Sequence, residues 1–274
     1  MAKVWIIGGG LIGCGWAAAF AGAGHAVCVI DPDPETADRL EQTWQRAFPV
    51  IKHLGHLNDG AIAPHWKPHA EEAGAFPELV QECLPENLAL KVAALAALEP
   101  FLDPETIIAS SSSGLSPDDM ASKLIHPERL LIAHPCNPPY LMPVVEICGG
   151  AATSSATILK AENLFKAMGK TVLKLTRPIP GHLVNRLQAA LWREAVHLSN
   201  EGYASLGDIE RAVSEGLAPR WCFTGPSAVF HLANLSMLWA ANSSAGGQPL
   251  APPHWMRRHG PNWLRGWLKP TPGQ

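Results

Sequence analysis

The chain has no run approaching the ~18 uninterrupted apolar residues that a membrane helix needs, so no membrane span is expected. It also lacks any Cys-x-x-Cys pair. Its six cysteines, Cys14, Cys28, Cys83, Cys136, Cys148 and Cys222, are scattered, most of them among apolar neighbours. That usage fits buried or free thiols in a reducing cytosol better than a disulfide frame, and a cytoplasmic location is expected. No long basic run occurs and the net charge is −3, which argues against nucleic acid or an anionic membrane as the main partner. A cysteine-supported metal site is missing as well. His53, His56, His65 and His69 fall in a Pro- and Gly-rich stretch, but no cysteine lies nearby and the spacing lacks the paired ligands of a structural zinc site. That stretch reads as an exposed insertion between two elements, and no metal is expected.

What is present begins at once. Lys3-Val-Trp-Ile-Ile is followed by Gly8-Gly9-Gly10-Leu11-Ile12-Gly13, a small-residue segment, and Ala26-Val27-Cys28-Val29-Ile30 ending on Asp31. The order is strand, glycine-rich turn, helix, and a second strand with an acid at its tip. Gly8 permits the tight turn, Gly10 lets the backbone approach a pyrophosphate, and Gly13 lets helix and strand pack closely. The phosphates would rest on free N–H groups around Leu11, Ile12 and Gly13, where the helix dipole favours negative charge. Asp31 can accept from a ribose 2′-hydroxyl and would repel a 2′-phosphate, and the residues after it are Pro32, Asp33 and Pro34, with no arginine. NAD rather than NADP is the expected cofactor. Lys3 before an alanine-rich segment has the outline of a secretory signal, but the glycines and Asp31 break that run.

At 274 residues the chain suits one large or two ordinary domains. Leu40, Trp44 and Phe48, spaced by fours, predict an amphipathic helix over 35–48. Strand character returns at Leu79–Cys83, Leu88–Leu98 reads as a helix, and Thr106–Ala109 is a short strand running into Ser110-Ser111-Ser112-Ser113-Gly114. A helix starts at Pro117-Asp118-Asp119, and Leu130–Ala133 and Val144–Cys148 are further strands. This alternation predicts a Rossmann-type α/β fold with a doubly wound, mostly parallel sheet, its ligands gathered at the strands' C-terminal ends. After Pro178 and Pro180 the apolar residues recur at helical spacings over 182–201, and 206–217 forms a second helix. The expected domains are therefore 1–180, binding NAD, and a smaller all-helical domain over 181–274. Within the latter, 227–274 is an atypical tail rich in Trp, Pro and His with no sustained helical period.

Oxidising a secondary alcohol requires a hydride acceptor and a group that removes the hydroxyl proton. Histidine suits the second task because its pKa lies near neutrality. His134 ends a strand and opens a loop stiffened by Pro135, Pro138 and Pro139, and Glu146 follows twelve residues later in the next strand. A carboxylate on one imidazole nitrogen fixes the tautomer and stabilises the imidazolium formed when the other takes a proton. From local features alone, a structural role for His134 stays open.

Four segments, Gly8–Gly13, Ser110–Leu115, His134–Glu146 and Gly181-His182-Leu183-Val184-Asn185-Arg186-Leu187, together with their separations, closely resemble the 3-hydroxyacyl-CoA dehydrogenase superfamily. The resemblance implies that His134 is the general base, that Glu146 orients it, and that Ser113 and Asn185 hydrogen-bond the substrate oxygen. It further implies cofactor contacts at Glu86, Lys91, Ser113 and Asn137. The wording around His134-Pro135, Asn137 to Pro143, Asn185-Arg186-Leu187-Gln188 and Arg220-Trp221 resembles the L-gulonate 3-dehydrogenase (lambda-crystallin) branch, with parts shared by carnitine dehydrogenases. Members of that branch act on free acids rather than CoA thioesters. Arg220 offers a fork suited to a substrate carboxylate, and equally could cap the preceding helix.

These readings give an NAD-dependent dehydrogenase oxidising a small L-3-hydroxy acid, with the helical domain pairing two chains. The rivals are a true 3-hydroxyacyl-CoA or carnitine dehydrogenase, and, in another class, a catalytically silent NAD-binding structural or sensing protein.

Overall fold

The computed structural model describes residues 1–232; most of the atypical tail therefore lies outside the described residues. The chain divides into two compact units, Met1–Leu191 and Trp192–Gln274.

The first unit is built on an eight-stranded sheet in the order β3-β2-β1-β4-β5-β6-β7-β8. The strands are β1 (Lys3–Ile7), β2 (Ala26–Ile30), β3 (His65–Lys67), β4 (Leu79–Glu82), β5 (Ile107–Ser110), β6 (Leu130–Pro135), β7 (Val144–Gly149) and β8 (Thr171–Lys174). All neighbours are parallel except β6 and β7. Alternation along β1 shows why both faces are covered: Val4 and Ile6 join one apolar cluster, Trp5 and Ile7 the other.

Helix α1 (Leu11–Gly22) is buried on nearly every side, and its glycines and alanines are what let it sit so close to its neighbours. A Cβ at Gly15 would come 2.6 Å from Pro139 Cδ in the β6–β7 loop. Helix α2 (Thr36–His53) runs past Pro49, five residues beyond the expected stop at Phe48. Ile51, 3% exposed, packs into the notch left by Gly22 and carries the helix through the proline. The remaining helices of this unit are α3 (Leu88–Leu98), α4 (Pro117–Met120), α5 (Ser155–Ala167) and the first part of α6 (Val184–Asn200).

Two expectations need correction. The histidine-rich stretch is not wholly an insertion, because His65–Lys67 pairs with Cys28–Ile30 as the edge strand β3. Its histidines are dispersed, His53 closing α2 and His69 preceding a 3₁₀ turn at Ala70–Glu72. Among the described residues no group of three His, Cys, Asp or Glu side chains could hold a metal ion. The sequence pass also leaves 149–178 without elements, where the structure has α5 and β8. Helix α5 does carry a start signal, since Ser154 Oγ accepts from Thr157 N–H at 3.0 Å.

The second unit holds the end of α6, then α7 (Leu206–Arg211), a π-helical turn at Ala212–Leu217, α8 (Ala218–Trp221) and α9 (Pro226–Leu232). The last of these runs into the segment whose sequence shows no sustained helical period. No helix among the described residues is long and apolar enough to cross a membrane.

Candidate active site

The glycine loop joins β1 to α1. Gly8 has φ +99°, and a Cβ there would come 2.8 Å from the Cys83 carbonyl oxygen, so only glycine fits. At Gly13 a Cβ would lie 1.9 Å from the Gly8 carbonyl oxygen. Gly10 differs: it is exposed, nothing among the described residues lies within 4 Å of its Cβ direction, and as the N-cap of α1 it leaves the first-turn N–H groups without a side-chain cap. An open approach ending on an uncapped helix N-terminus, at Leu11 and Ile12, fits a pyrophosphate. Gly13→Ala is expected to abolish NAD binding, measured by quenching of tryptophan fluorescence, because the added methyl cannot enter without opening the loop.

Asp31, at the end of β2, takes the Gly9 N–H at 2.6 Å on Oδ2 and the Asp33 N–H at 2.9 Å on Oδ1. The carboxylate is thereby pinned beside the glycine loop. An arginine does reach this corner, although none follows Asp31 directly in sequence. Arg39 of α2 donates to the Gly9 carbonyl at 3.2 Å, to Thr36 Oγ1 at 2.7 Å and to Asp33 Oδ2 at 2.8 Å. Its guanidinium is engaged by Asp33, and Asp31 keeps a negative edge beside the glycine loop.

On the antiparallel β6–β7 pair, His134 and Glu146 face each other in register. Directly opposed residues bring their side chains together. This explains the twelve-residue spacing, which an antiparallel hairpin can span and a parallel crossover could hardly accommodate. His134 Nδ1 is 2.9 Å from Glu146 Oε2, and Nε2 is 3.0 Å from Ser113 Oγ. A carboxylate only accepts, so Nδ1 carries the hydrogen and Nε2 presents a lone pair. Glu146 is fully buried, and its other oxygen accepts from Leu183 N–H at 2.7 Å and Val184 N–H at 3.0 Å, at the start of α6. Burial holds the His134 pKa below the ordinary 6.5; His182 acts the same way, and the Glu146 hydrogen bond opposes them. Free base is therefore the favoured form at neutral pH.

The serine loop after β5 supplies Ser113. Glu86 Oε1 gathers that loop, accepting from Ser112 Oγ at 2.7 Å, Ser113 N–H at 3.0 Å and Gly114 N–H at 2.9 Å. Burial works against ionisation of Glu86, but these donors and Lys91 hold its carboxyl below the usual range. Lys91 is 1% exposed, its ammonium bonded to Glu82 Oε1 at 2.7 Å and the Leu84 carbonyl at 2.9 Å, and 3.5 Å from Glu86. Glu82 also accepts from Ser110 Oγ and from Leu84 N–H at 2.6 Å. Lys91 is thus the cation beneath the Glu86 loop, and Glu82, which the sequence reading passed over, anchors it. A charged residue closing a strand at the C-terminal edge of a parallel sheet was the available signal. Ser111 turns inward: its Oγ accepts from Trp16 Nε1 at 3.2 Å and Gln81 Nε2 at 2.8 Å.

Asn137 is exposed in the β6–β7 loop, next to a cis peptide with Pro138. Lys170 ties this loop down by donating to the Pro139 and Met142 carbonyls, the latter at 2.8 Å, and burial pushes its ammonium down to about 8. Asn185 is exposed in the first turn of α6, directly after the residues that Glu146 holds. The structure therefore brings Ser113, His134, Glu146 and the turn before Asn185 into one hydrogen-bonded cluster. Arg220 lies in the second unit, where Nε and Nη2 both reach the Gly216 carbonyl, at 3.2 and 3.0 Å. That is the helix-end contact of the two readings left open for it.

Residues 3–177 match the family described as "3-hydroxyacyl-CoA dehydrogenase, NAD binding domain", and 181–262 match its C-terminal domain. The chain is 40% identical over 233 residues to an L-carnitine dehydrogenase of Streptomyces coelicolor, covering 84% of this chain and 73% of that one. It is 34% identical over 268 residues to an L-carnitine dehydrogenase of Staphylococcus epidermidis, covering 97% and 79%. Among solved structures, 5-formyl-3-hydroxy-2-methylpyridine 4-carboxylic acid 5-dehydrogenase, an NAD⁺-dependent dismutase, superposes with TM-score 0.83 at 28% identity, covering 89% of this chain and 79% of that one. The 3-hydroxyacyl-CoA dehydrogenase of Archaeoglobus fulgidus gives TM-score 0.75 at 26% identity, covering 97% and 88%. The glycine loop, the opposed His134–Glu146 pair and these matches make the chain a member of the 3-hydroxyacyl-CoA dehydrogenase family, an NAD-dependent oxidoreductase acting on CH–OH.

Proposed function

We propose that this enzyme oxidises the 3-hydroxyl of a small free 3-hydroxy acid, with L-carnitine the first substrate to test and L-gulonate the second. The observation that carries the reading is the relay in which Glu146 holds His134 Nδ1–H and leaves Nε2 facing the Ser113 hydroxyl. The two L-carnitine dehydrogenases among the relatives support a free acid, and rank carnitine ahead of gulonate.

In this reading the Ser113 hydroxyl and the Asn185 amide hold the substrate oxygen. His134 Nε2 takes its proton, and Glu146 stabilises the resulting imidazolium. Bound NAD supplies the hydride acceptor. Glycines 8, 10 and 13, with Leu11 and Ile12, seat its phosphates, Asp31 its ribose, and Glu86, Ser113 and Asn137 its nicotinamide side, with the buried Lys91 acting through Glu86. The domain boundary near residue 180, the cytoplasmic location and a homodimer formed through the helical region belong to the same proposal. For the dimer, α6 carries Leu187 and Trp192 at 66% and 70% exposure, apolar surface that a second copy would cover.

The test is NADH formation at 340 nm from L-carnitine, L-gulonate, 3-hydroxybutyrate and 3-hydroxybutyryl-CoA. A free acid is expected to exceed the thioester in kcat/KM by about tenfold or more, the ~1.4 kcal/mol that one well-placed contact provides. Turnover of the thioester alone would overturn the assignment, and NAD binding without NADH from any of them would favour a silent binder.

Two further results follow from the geometry. Asp31→Ser should raise KM for NAD about tenfold and narrow the preference over NADP, since one charge-assisted hydrogen bond is worth ~1.5–3 kcal/mol. The kcat/KM profile should keep its plateau at pH 7 and fall only below pH 6.5 as His134 protonates, because its pKa is depressed. An acid limb centred above 7 would contradict this.

A further inference from the structure

His182 takes no part in the chemistry above, yet several independent features single it out. It is 2% exposed, and its backbone sits at φ +46°, the left-handed region that residues other than glycine seldom occupy. Its ring centroid is 4.8 Å from that of His134, with the planes inclined at 44°. Nε2 lies 2.9 Å from the Ser112 carbonyl oxygen, while Nδ1 is buried with no partner among the described residues. A carbonyl only accepts, so Nε2 carries the hydrogen and Nδ1 a lone pair.

The turn around His182 is stitched to both sides of His134. Gly181 N–H donates to the Ser113 carbonyl at 2.7 Å, and the N–H groups of Leu183 and Val184 hold Glu146. An unmatched buried nitrogen and a left-handed backbone are each unfavourable, and such features gather where function constrains the chain. A purely apolar side chain would fill the same space without the first of them.

We propose that His182 is a positioning residue for His134: its imidazole backs the His134 ring and, through the Ser112 carbonyl, locks the serine loop, so that Nε2 of His134 and Oγ of Ser113 are set before substrate arrives. The charged groups facing His134 are Glu146 from β7 and Glu86 from the loop between β4 and α3; the His182 turn adds its ring, which keeps water off the base. The inference rests on His134 being the proton acceptor, but part of its test does not require turnover.

Full-length protein with ¹⁵N-labelled imidazoles is titrated by NMR, His134→Asn identifying the His134 signal. Wild type should show His182 as the Nε2–H tautomer. His182→Gly, which suits the positive φ and removes the ring, should admit water and raise the His134 midpoint by about half a pH unit or more, toward the ordinary value. His182→Phe keeps the ring and loses the Ser112 bond. It should raise the midpoint less than the glycine variant does, since only the His182 charge and not the cover is lost, and lower kcat about tenfold, with KM for NAD unchanged. An Nδ1–H tautomer in wild type, an unmoved midpoint in the glycine variant, or full kcat in the phenylalanine variant each overturns the proposal. If the glycine variant does not fold, the tautomer and the phenylalanine variant decide. If wild type oxidises no 3-hydroxy compound, the functional reading fails while the NMR result still judges the positioning.

Discussion

His134→Asn is expected to lower kcat about a thousandfold while leaving the NAD dissociation constant within a factor of two or so. The separation follows from where the groups stand. The residues proposed to seat the phosphates and adenosine ribose belong to the β1–α1 loop and the end of β2, whereas His134 is the penultimate residue of β6. Asparagine retains a group able to bond Glu146 but offers no nitrogen lone pair at the Nε2 position to accept a proton. The measurements are steady-state turnover with the best substrate of the panel and NADH binding by fluorescence. A variant that kept even a tenth of wild-type kcat would remove His134 as the base, and one that lost NADH binding would show that it holds the cofactor instead.

Much of this arrangement could be read before any coordinates. The glycine loop was legible because its three constraints are local: a turn, an opening and a helix–strand contact, each marked by a missing side chain. Helix α3 carries its own start signal, Asn87 Oδ1 accepting the Leu90 N–H at 3.0 Å, and the expected bounds coincide with those observed. The pairing of His134 with Glu146 was proposed from chemistry and resemblance. What sets it physically, the single antiparallel step in an otherwise parallel sheet, is a property of chain direction that no residue at either position announces.

The misses have physical reasons too. Strand β3 is three residues long and includes a histidine and a lysine, the short polar make-up by which edge strands avoid pairing with other chains; such a segment resembles a loop. Pro49 is a local stop signal that tertiary packing of Ile51 overrides. Arg39 reaches Gly9 because the first turn of α2 folds back over the glycine loop, where a Cβ on Gly9 would lie 2.2 Å from a Thr36 carbon. His182 stood inside a recognised motif, but its burial and the ring beside it are facts of packing. The local parts of the site were therefore legible, and those that depend on two distant segments meeting were not.

The second large effect is expected at Glu146, where one carboxylate serves two structures. Oε2 orients His134 and Oε1 closes two N–H groups at the start of α6, so all its observed partners are donors. A glutamine of the same size has one oxygen and one NH₂. If the oxygen stays on Leu183 and Val184, the NH₂ faces His134 Nδ1 and forces the hydrogen onto Nε2, the wrong tautomer for a base. If it turns the other way, the two backbone donors are left facing a third. Glu146→Gln should therefore cut kcat by about 10³–10⁴-fold; the same exchange at the aspartate of a Ser-His-Asp triad costs ~10⁴ for this tautomeric reason. The second orientation also leaves buried donors unmatched, worth about 1–3 kcal/mol of stability, or several degrees in Tm, whereas the first, with its change of tautomer, keeps each group partnered. Turnover and thermal unfolding of the same preparation separate the two roles. Loss of kcat at an unchanged Tm marks the first orientation, loss of both marks the second, and a lowered Tm with kcat retained would confine Glu146 to anchoring α6.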